Sequence, residues 1–559
     1  MTFDGLNDSD LFFCPLGGSG EIGMNMNLFA CKGEWLMVDC GMTFADDWLP
    51  GIDLIFPDPA FIAERRDRLV GLVLTHGHED HIGAVPWLWR ELRCPVYATP
   101  FTAELVRGKL EEAGQLGEVP LHVVPTGGTL EAGSFRVRYV PLAHSIPEGH
   151  GLLIETPLGR IFHTGDWKLD EDPQIGVPST PETLSAIGDL GVLAMIGDST
   201  NVLNAHASGS EQAVLDSLLE IVGGMTGRVV ITTFASNAAR LKTIADVAAA
   251  HGRKIVPVGR SMRRIIEAAR KTGYLPHWEH EAGEGEVASL PRHKTLILCT
   301  GAQGEPRAAL SRIANGDHRD IALEEGDCVI FSSKIIPGNE LALGRLINKL
   351  ALLDVEVITE RDAFVHVSGH PGRAELEKMY GWIKPSLAIP VHGEARHLKA
   401  HARFARKLGI PQAIAPTNGD IIRLAPGEPA LVDQAPSGRL VLDGNHVVPA
   451  SSPTVAARRK ILSEGFIAAM LLVDEDDESI GDPEIIAIGI PGLEPGSTLE
   501  ERLIAVAERE IAGAGGKRGR RDAAIAEAAR IAIRRLVRAE CDKNPVVDVR
   551  VVRLEDEYV

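Results

Sequence analysis

The stretch "LTHGHEDHIGA", residues 74–84, places His76, His78, Asp80 and His81 within six positions. No other feature constrains the fold so strongly. A packed core cannot satisfy three imidazoles and a carboxylate so close together, and a solvated loop has no need of them. The apolar run before the cluster reads as a strand over 71–75, and a helical pattern over 82–92 follows it. The cluster therefore sits in a tight glycine-containing loop at a strand end. Residues two apart in an extended loop project to the same side, so His76 and His78 can share one ion. Asp80 and His81 fall where the chain turns into the helix and point to a neighbouring position. One such loop can serve two metal ions about 3.5–4 Å apart, provided that other segments complete each sphere. Neutral imidazoles and carboxylates suit Zn²⁺ or Mn²⁺.

The fold must then deliver further ligands, and three apolar runs end on candidates. "PLAHSIPEG" offers His144, "IFHTGDWK" offers Asp166, and "AIPVHGE" offers His392. Each alone reads as an ordinary satisfied polar residue. Together, all at strand ends, they complete two spheres, with the carboxylate of Asp166 placed to bridge. This pattern is that of a dinuclear hydrolase.

A chain of 559 residues exceeds one hydrophobic core, so two to four domains are expected. Short β-branched runs alternate with turns and helical patterns in the first half, which predicts an α/β protein with antiparallel stretches near the start. A second αβ alternation occupies 206–360. "PASSPTVAARRK", 449–460, reads as a linker, and 461–559 as a small α+β module without a chemical motif. The seven cysteines are scattered and never form a CxxC pair. They suggest reduced thiols, a cytoplasmic location and no cysteine-based zinc site. The first residues, "MTFDGLNDSDLFF", lack a signal-peptide pattern, and no apolar run reaches membrane-spanning length.

The ligand pattern, HxHxDH followed by separated His, Asp and His, resembles the metallo-β-lactamase superfamily. "MIGDST" with Asp198, "HVSGH" from His366 to His370, and "PVHGE" with His392 resemble motifs A, B and C of its β-CASP branch. More narrowly, "PLGGSGEIGMNMNLF", "TTFASNAAR", "TGAQGEPRAALSRIA" and "SSKIIPGNE" are similar to the ribonuclease J family from about residue 11 to about 450. The resemblance implies a metallo-β-lactamase αββα sandwich (1–205 and 361–448) with an inserted β-CASP domain (206–360) and the small α+β C-terminal domain. It departs from the family pattern at Trp167, where phenylalanine is commoner.

The same resemblance implies roles. His76, His78 and His144 would hold one ion, Asp80, His81 and His392 the other, with Asp166 bridging. The ions would be two Zn²⁺, with Mn²⁺ or Mg²⁺ as alternatives. Asp39, in "LMVDCG", would support the ligand histidines from behind. Activated water would attack a phosphodiester of RNA, and His370, with His366 beside it, would serve the departing 3′-oxygen. Ser236 and Asn237, with His366, Val367, Ser368, Gly369 and His370, would form a pocket for substrate phosphate. Gly51, Asp53 and Asp443 would match a structural cation site, Ca²⁺ being the natural occupant. The expected activity is 5′-to-3′ hydrolysis of 5′-monophosphate RNA, with endonuclease action beside it. The C-terminal domain would make a homodimer or tetramer, and an RNA-degrading complex would be the setting.

The net charge of −20 conflicts with a polyanionic substrate. Two stretches offer local relief: Arg253 to Lys271, with seven basic residues and one acidic, and Lys517 to Arg538, with eight and two. The first, within the inserted domain, is the expected source of RNA steering. A β-CASP DNA nuclease and a non-catalytic scaffold of an RNA-processing assembly are the competing readings. A small-molecule metallohydrolase has no use for the insertion or for "HVSGH".

Overall fold

The computed structural model describes residues 9–45, 48–177, 180–474, 478–513 and 518–554. Contacts divide the chain into two units: residues up to 43 with 56–439, and residues 44–55 with 440–559.

In the first unit, alternating apolar residues build two facing sheets. The strands Leu11–Gly17, Met26–Cys31 and Glu34–Val38 form an antiparallel meander, and Leu69–Val73 joins in parallel, within an eight-stranded sheet. A seven-stranded sheet contains Phe135–Pro141, His150–Thr156, Gly159–His163, Ala194–Asp198 and Leu387–Val391 as successive neighbours. Successive side chains of a strand point to opposite faces, and the packing follows that rule. Leu152, Ile154, Ile161, Ile196 and Ile389 enter one core with Phe13, Phe29, Leu36 and Val73 of the other sheet. Their neighbours Leu153, Phe162, Met195 and Ala388 face away, into a second core with the helices Pro181–Asp189, Arg373–Ile383 and Ala395–Lys407. This is the expected αββα sandwich. Asp166, Asp198 and His392 lie at or just beyond the ends of three neighbouring strands of one sheet.

The inserted domain has a wholly parallel five-stranded sheet, in the order Lys254–Val258, Thr295–Cys299, Val229–Thr232, Cys328–Phe331, Glu356–Ile358. Its three central strands are buried throughout, as expected where helices cover both faces. Arg240, fully buried on the helix Ala238–Ala250, grips the buried Glu211 with contacts of 3.0–3.2 Å. It also donates to the carbonyls of Ser332 (3.1 Å) and Val365 (2.9 Å). Arg240 thereby ties the inserted sheet to the segment that leads into His366.

In the second unit, Phe466–Val473 pairs with Glu484–Ile488 antiparallel and with Val546–Arg553 parallel. Ile467, Leu471 and Val549 pack on Leu503, Ile525 and Ile533 of the helices Thr498–Gly513 and Arg518–Cys541. The stretch 449–460 departs from expectation: most of it is the helix Pro453–Glu464. Ser452 caps that helix by accepting from the Val455 N–H, and Pro453 stands at its first position. Small and polar residues there are helix-start chemistry rather than linker chemistry.

Replacing Arg240 by Met leaves Glu211 a buried, weakly compensated charge, with Lys168 3.9 Å away. The expected cost is about 3–5 kcal/mol, seen as a lower urea midpoint for the inserted domain. The double variant R240M/E211M should recover most of it.

Candidate metal centre

The loop after Leu69–Val73 is held by backbone bonds from the segment 25–42. Asn25 N–H donates to Asp80 (2.9 Å), Cys40 N–H to His81 (2.8 Å) and Met42 N–H to Glu79 (3.0 Å). A Cβ on Gly41 would lie 1.7 Å from the Asp80 carbonyl, so only glycine allows this approach. Asp39 and His392, both just past strand ends, have φ of 63° and 53°. Positive φ in such residues is uncommon and clusters at functional sites.

Two groups of four side chains each bring one ligand atom within 4.8 Å of all the others: His76, His78, His144 and Asp166, and Asp80, His81, Asp166 and His392. Asp166 belongs to both. Nδ1 of His78 lies 3.1 Å from Nε2 of His76 and 3.1 Å from Nε2 of His144, while Nε2 of His78 is buried without a hydrogen-bond partner. Burial pushes the imidazoles of His76 and His144 well below the usual range, and His78 down to about 4. They are neutral at pH 7, the form that ligates metals. Burial also opposes the charged form of His81, yet Asp166, Asp80 and Asp39 outweigh it and raise that group. Nδ1 of His78 with Nε2 of His76 and His144, and the two groups of imidazoles and carboxylates that share Asp166, make converging N/O donor sets that fit a pair of divalent cations.

Three of the histidines are aimed from behind. Nδ1–H of His81 donates to Asp39 Oδ2 (2.7 Å), that of His144 to the Gly369 carbonyl (2.7 Å) and that of His392 to Asn25 Oδ1 (2.9 Å). In all three, Nε2 is left for the centre. Asp39 also accepts from the N–H and hydroxyl of Thr75. Asn25, buried in "GMNMNLF", is the residue that sequence reasoning missed. Its only signal was a polar side chain among apolar strand residues.

Beside the centre, Nδ1–H of His370 donates to Asp198 Oδ2 at 2.8 Å, and these two group with Asp166 and His392. Burial disfavours the imidazolium of His370, but Asp198 and then Asp166 override it, to about 9. His366 differs. Burial, followed by the cations Arg240, Lys334 and Lys168, pushes it down to about 3, so it is neutral where His370 is charged, and its Nδ1 is buried without a partner. It joins neither ligand group. Val367 packs at Gly209, and Ser368 exchanges hydrogen bonds with the backbone of His370. The carbonyl oxygen of the Asn237 side chain caps the helix Ala238–Ala250, accepting from Arg240 N–H. Ser236 precedes it in the turn.

Of the residues expected to hold a structural cation, Asp443 has a basic partner within the chain. Arg458 donates to both oxygens of Asp443 (2.9 and 2.7 Å) and to the Pro50 carbonyl (3.3 Å). Its Nη1 would be the nearest atom to a Cβ on Gly51, at 3.4 Å. The backbone carbonyl of Asp53 accepts from the Ala45 N–H. A guanidinium, always charged and forked to match a carboxylate, is thus the partner that the structure gives Asp443.

The basic stretch Arg253–Lys271 is also not what its composition suggests. Arg253 is buried against the carbonyls of Gly227, Met225 and Thr295. Arg263, Arg264, Arg270 and Lys271 pair with Glu284, Glu112, Glu281 and Glu104. Most of its charge is compensated, so it is a weak source of steering. Lys517, which opens the other basic stretch, lies outside the described residues.

Asp39→Asn should weaken metal binding by about 10–100-fold, since it removes the charged partner that aims His81. Equilibrium dialysis with metal analysis measures this, and unchanged affinity would dismiss Asp39 as a supporting residue.

Comparison with known proteins agrees with this geometry. Four family models match: Metallo-beta-lactamase superfamily over residues 25–230, Ribonuclease J, beta-CASP domain over 226–350, Zn-dependent metallo-hydrolase RNA specificity domain over 354–416, and Ribonuclease J C-terminal domain over 454–554. The ribonuclease J of Sinorhizobium meliloti is 40% identical, covering 99% of each chain. That of Synechocystis is 34% identical over 95% of this chain and 85% of its own, and that of Thermus thermophilus 37% over 83% and 82%. A crystal structure of an Enterococcus faecalis protein of unknown function shares the fold, with a TM-score of 0.53 and 16% identity over 74% of this chain and all of its own. With a relative this similar along its whole length, the chain belongs to the ribonuclease J family.

Proposed function

We propose that the chain is a metal-dependent ribonuclease that removes nucleotides in the 5′-to-3′ direction from RNA bearing a 5′-monophosphate. The observation that carries this reading is the adjacency of two ligand groups sharing Asp166 and a histidine held protonated by Asp198. Two divalent cations, Zn²⁺ by the abundance of imidazole, with Mn²⁺ or Mg²⁺ left open by the carboxylates and the absence of sulfur ligands, would lower the pKa of water and offset phosphate charge. His76, His78 and His144 would hold one, and Asp80, His81 and His392 the other. His370 is committed to Asp198 through Nδ1, so Nε2 delivers the proton to the departing 3′-oxygen. The 5′-phosphate of the substrate suits the loop 366–369, where the unpartnered Nδ1 of His366 lies among Arg240, Lys334 and Lys168.

Assembly and setting are also proposed. The outer face of the C-terminal sheet exposes Met470, Ile486 and Ile488 (40%, 56% and 60%), which suits a homodimer, or a tetramer, built through that unit. Seven unpaired cysteines, six of them buried, suit the cytoplasm. No helix among the described residues is long and apolar enough to cross a membrane. A multiprotein RNA-degrading complex is the proposed context.

The test compares 5′-monophosphate and 5′-triphosphate forms of one RNA, with a matching DNA, in the presence of Zn²⁺ or Mn²⁺. Mononucleotides appearing first from the monophosphate RNA, and lost in Asp80→Ala, are expected. Internal fragments independent of the 5′ end would replace the exonuclease by an endonuclease. Equal DNA cleavage would overturn the RNA assignment.

The protonated form of His370 is the competent acid, so kcat/KM should hold below pH of about 9 and fall above it. Asp198→Asn removes a charge that raises this group, and the alkaline limb should move to lower pH. A limb that stays in place would remove His370 from the acid role.

A further inference from the structure

With the stretch Arg253–Lys271 largely neutralised, an RNA-binding enzyme of net charge −20 needs another electropositive face. The helix Ala395–Lys407, which starts three residues after His392, carries Arg396, Lys399, Arg403, Arg406 and Lys407 and no acidic residue. Arg396 pairs with Glu394, and Arg406 donates to the Ala413 carbonyl. Lys399, Arg403 and Lys407 are exposed, and among the described residues they form no hydrogen bond or ion pair. Spaced four apart, they stand on one stripe of the helix, while His397, Leu398, His401 and Ala405 face inward. Like charges at this spacing repel, and no acidic side chain of the helix offsets them.

Beside that stripe lies a groove of about 430 Å³, lined by Arg373, Glu377, Arg403, Phe404 and Lys407. The Arg373 guanidinium sits 5.7 Å from the centre of the Phe404 ring, so cation and π-face are presented together. Arg373 is three residues beyond His370, and its Nε donates to the Val202 carbonyl at 2.8 Å. The groove thus adjoins the segments that carry His370 and Asp198.

We propose that this groove and the stripe Lys399–Arg403–Lys407 form a track for single-stranded RNA, holding the part of a long strand that lies beyond the nucleotides at the metal centre. The three cations contact phosphates, and a base stacks in the groove on Phe404 and Arg373. The track rests on the ribonuclease reading and adds a second contact region to it. It converts chain length into affinity, so long RNAs are bound more tightly than short ones with the same 5′ end.

The test measures binding by fluorescence anisotropy in the full-length Asp80→Ala protein, with 5′-monophosphate RNAs of about 4 and about 24 nucleotides. Cleavage of the short RNA is followed in parallel in the protein that keeps Asp80. R403E/K407E should weaken long-RNA binding roughly tenfold and lower the slope of log affinity against log salt by about 1.4, at about 0.7 per phosphate contact for single strands. Cleavage of the short RNA should not change. F404A should weaken long-RNA binding several-fold at an unaltered salt slope, and R403K/K407R should restore wild-type binding. Unchanged long-RNA affinity and slope in R403E/K407E, with the short RNA still cleaved, would overturn the track alone and leave the face to an acidic protein. If the wild-type chain neither binds nor cleaves either RNA, the ribonuclease reading falls and takes the track with it.

Discussion

Five histidine ring nitrogens surround one buried carboxylate oxygen. Oδ2 of Asp166 lies 3.2 Å from His81, 3.6 Å from His392, 3.8 Å from His76 and His370, and 3.9 Å from His144. The side chains of Asp166, His76 and His144 are nearly inaccessible to solvent. Such a set is costly without cations, because desolvated polar groups need partners and protonated imidazoles would repel. The surrounding architecture can be read as support for that set: strand ends that deliver it, a glycine that lets the loop approach, and Nδ1 partners that fix each ring.

Those partners couple regions that are remote in sequence. Gly369, which holds His144, belongs to the loop that also carries His366 and His370. A Cβ on Gly369 would meet the His144 ring at 2.9 Å, so loop and ligand are in contact with no slack. Arg240 of the inserted domain fixes the entry to the same loop through the Val365 carbonyl. Two hydrogen bonds, from Arg240 to the Val365 carbonyl and from His144 to the Gly369 carbonyl, thus anchor the inserted domain and the His144 ring to one loop.

Local charge counts were a poorer guide than ligand spacing. The densest basic stretch, Arg253–Lys271, is compensated by glutamates from 104, 112, 281 and 284, none of them within it. In the less conspicuous helix Ala395–Lys407, three cations have no ion-pair partner among the described residues. Similarly, Asp443 read as a plain turn residue or a cation ligand, whereas Arg458, 15 residues away, supplies the positive charge. Ion pairing depends on which elements pack together, and no window of sequence contains that.

By itself, the sequence determined the chemistry and the fold class. Histidines and aspartates able to hold a metal fall at strand ends, directly after short apolar runs, and both signals are local. The grouping of His76, His78, His144, Asp80, His81, Asp166 and His392 was legible for that reason, whereas the sandwich and its inserted domain came from the family resemblance and the parallel order of the inserted sheet from the structure. Only the tertiary structure decided how each ring is oriented and charged. Asn25 behind His392, Gly369 behind His144 and Asp198 beside His370 stand 367, 225 and 172 residues from their partners. Tautomer, protonation and free charge are set by neighbours in space, and those neighbours exist only after the two sheets and the inserted domain have packed.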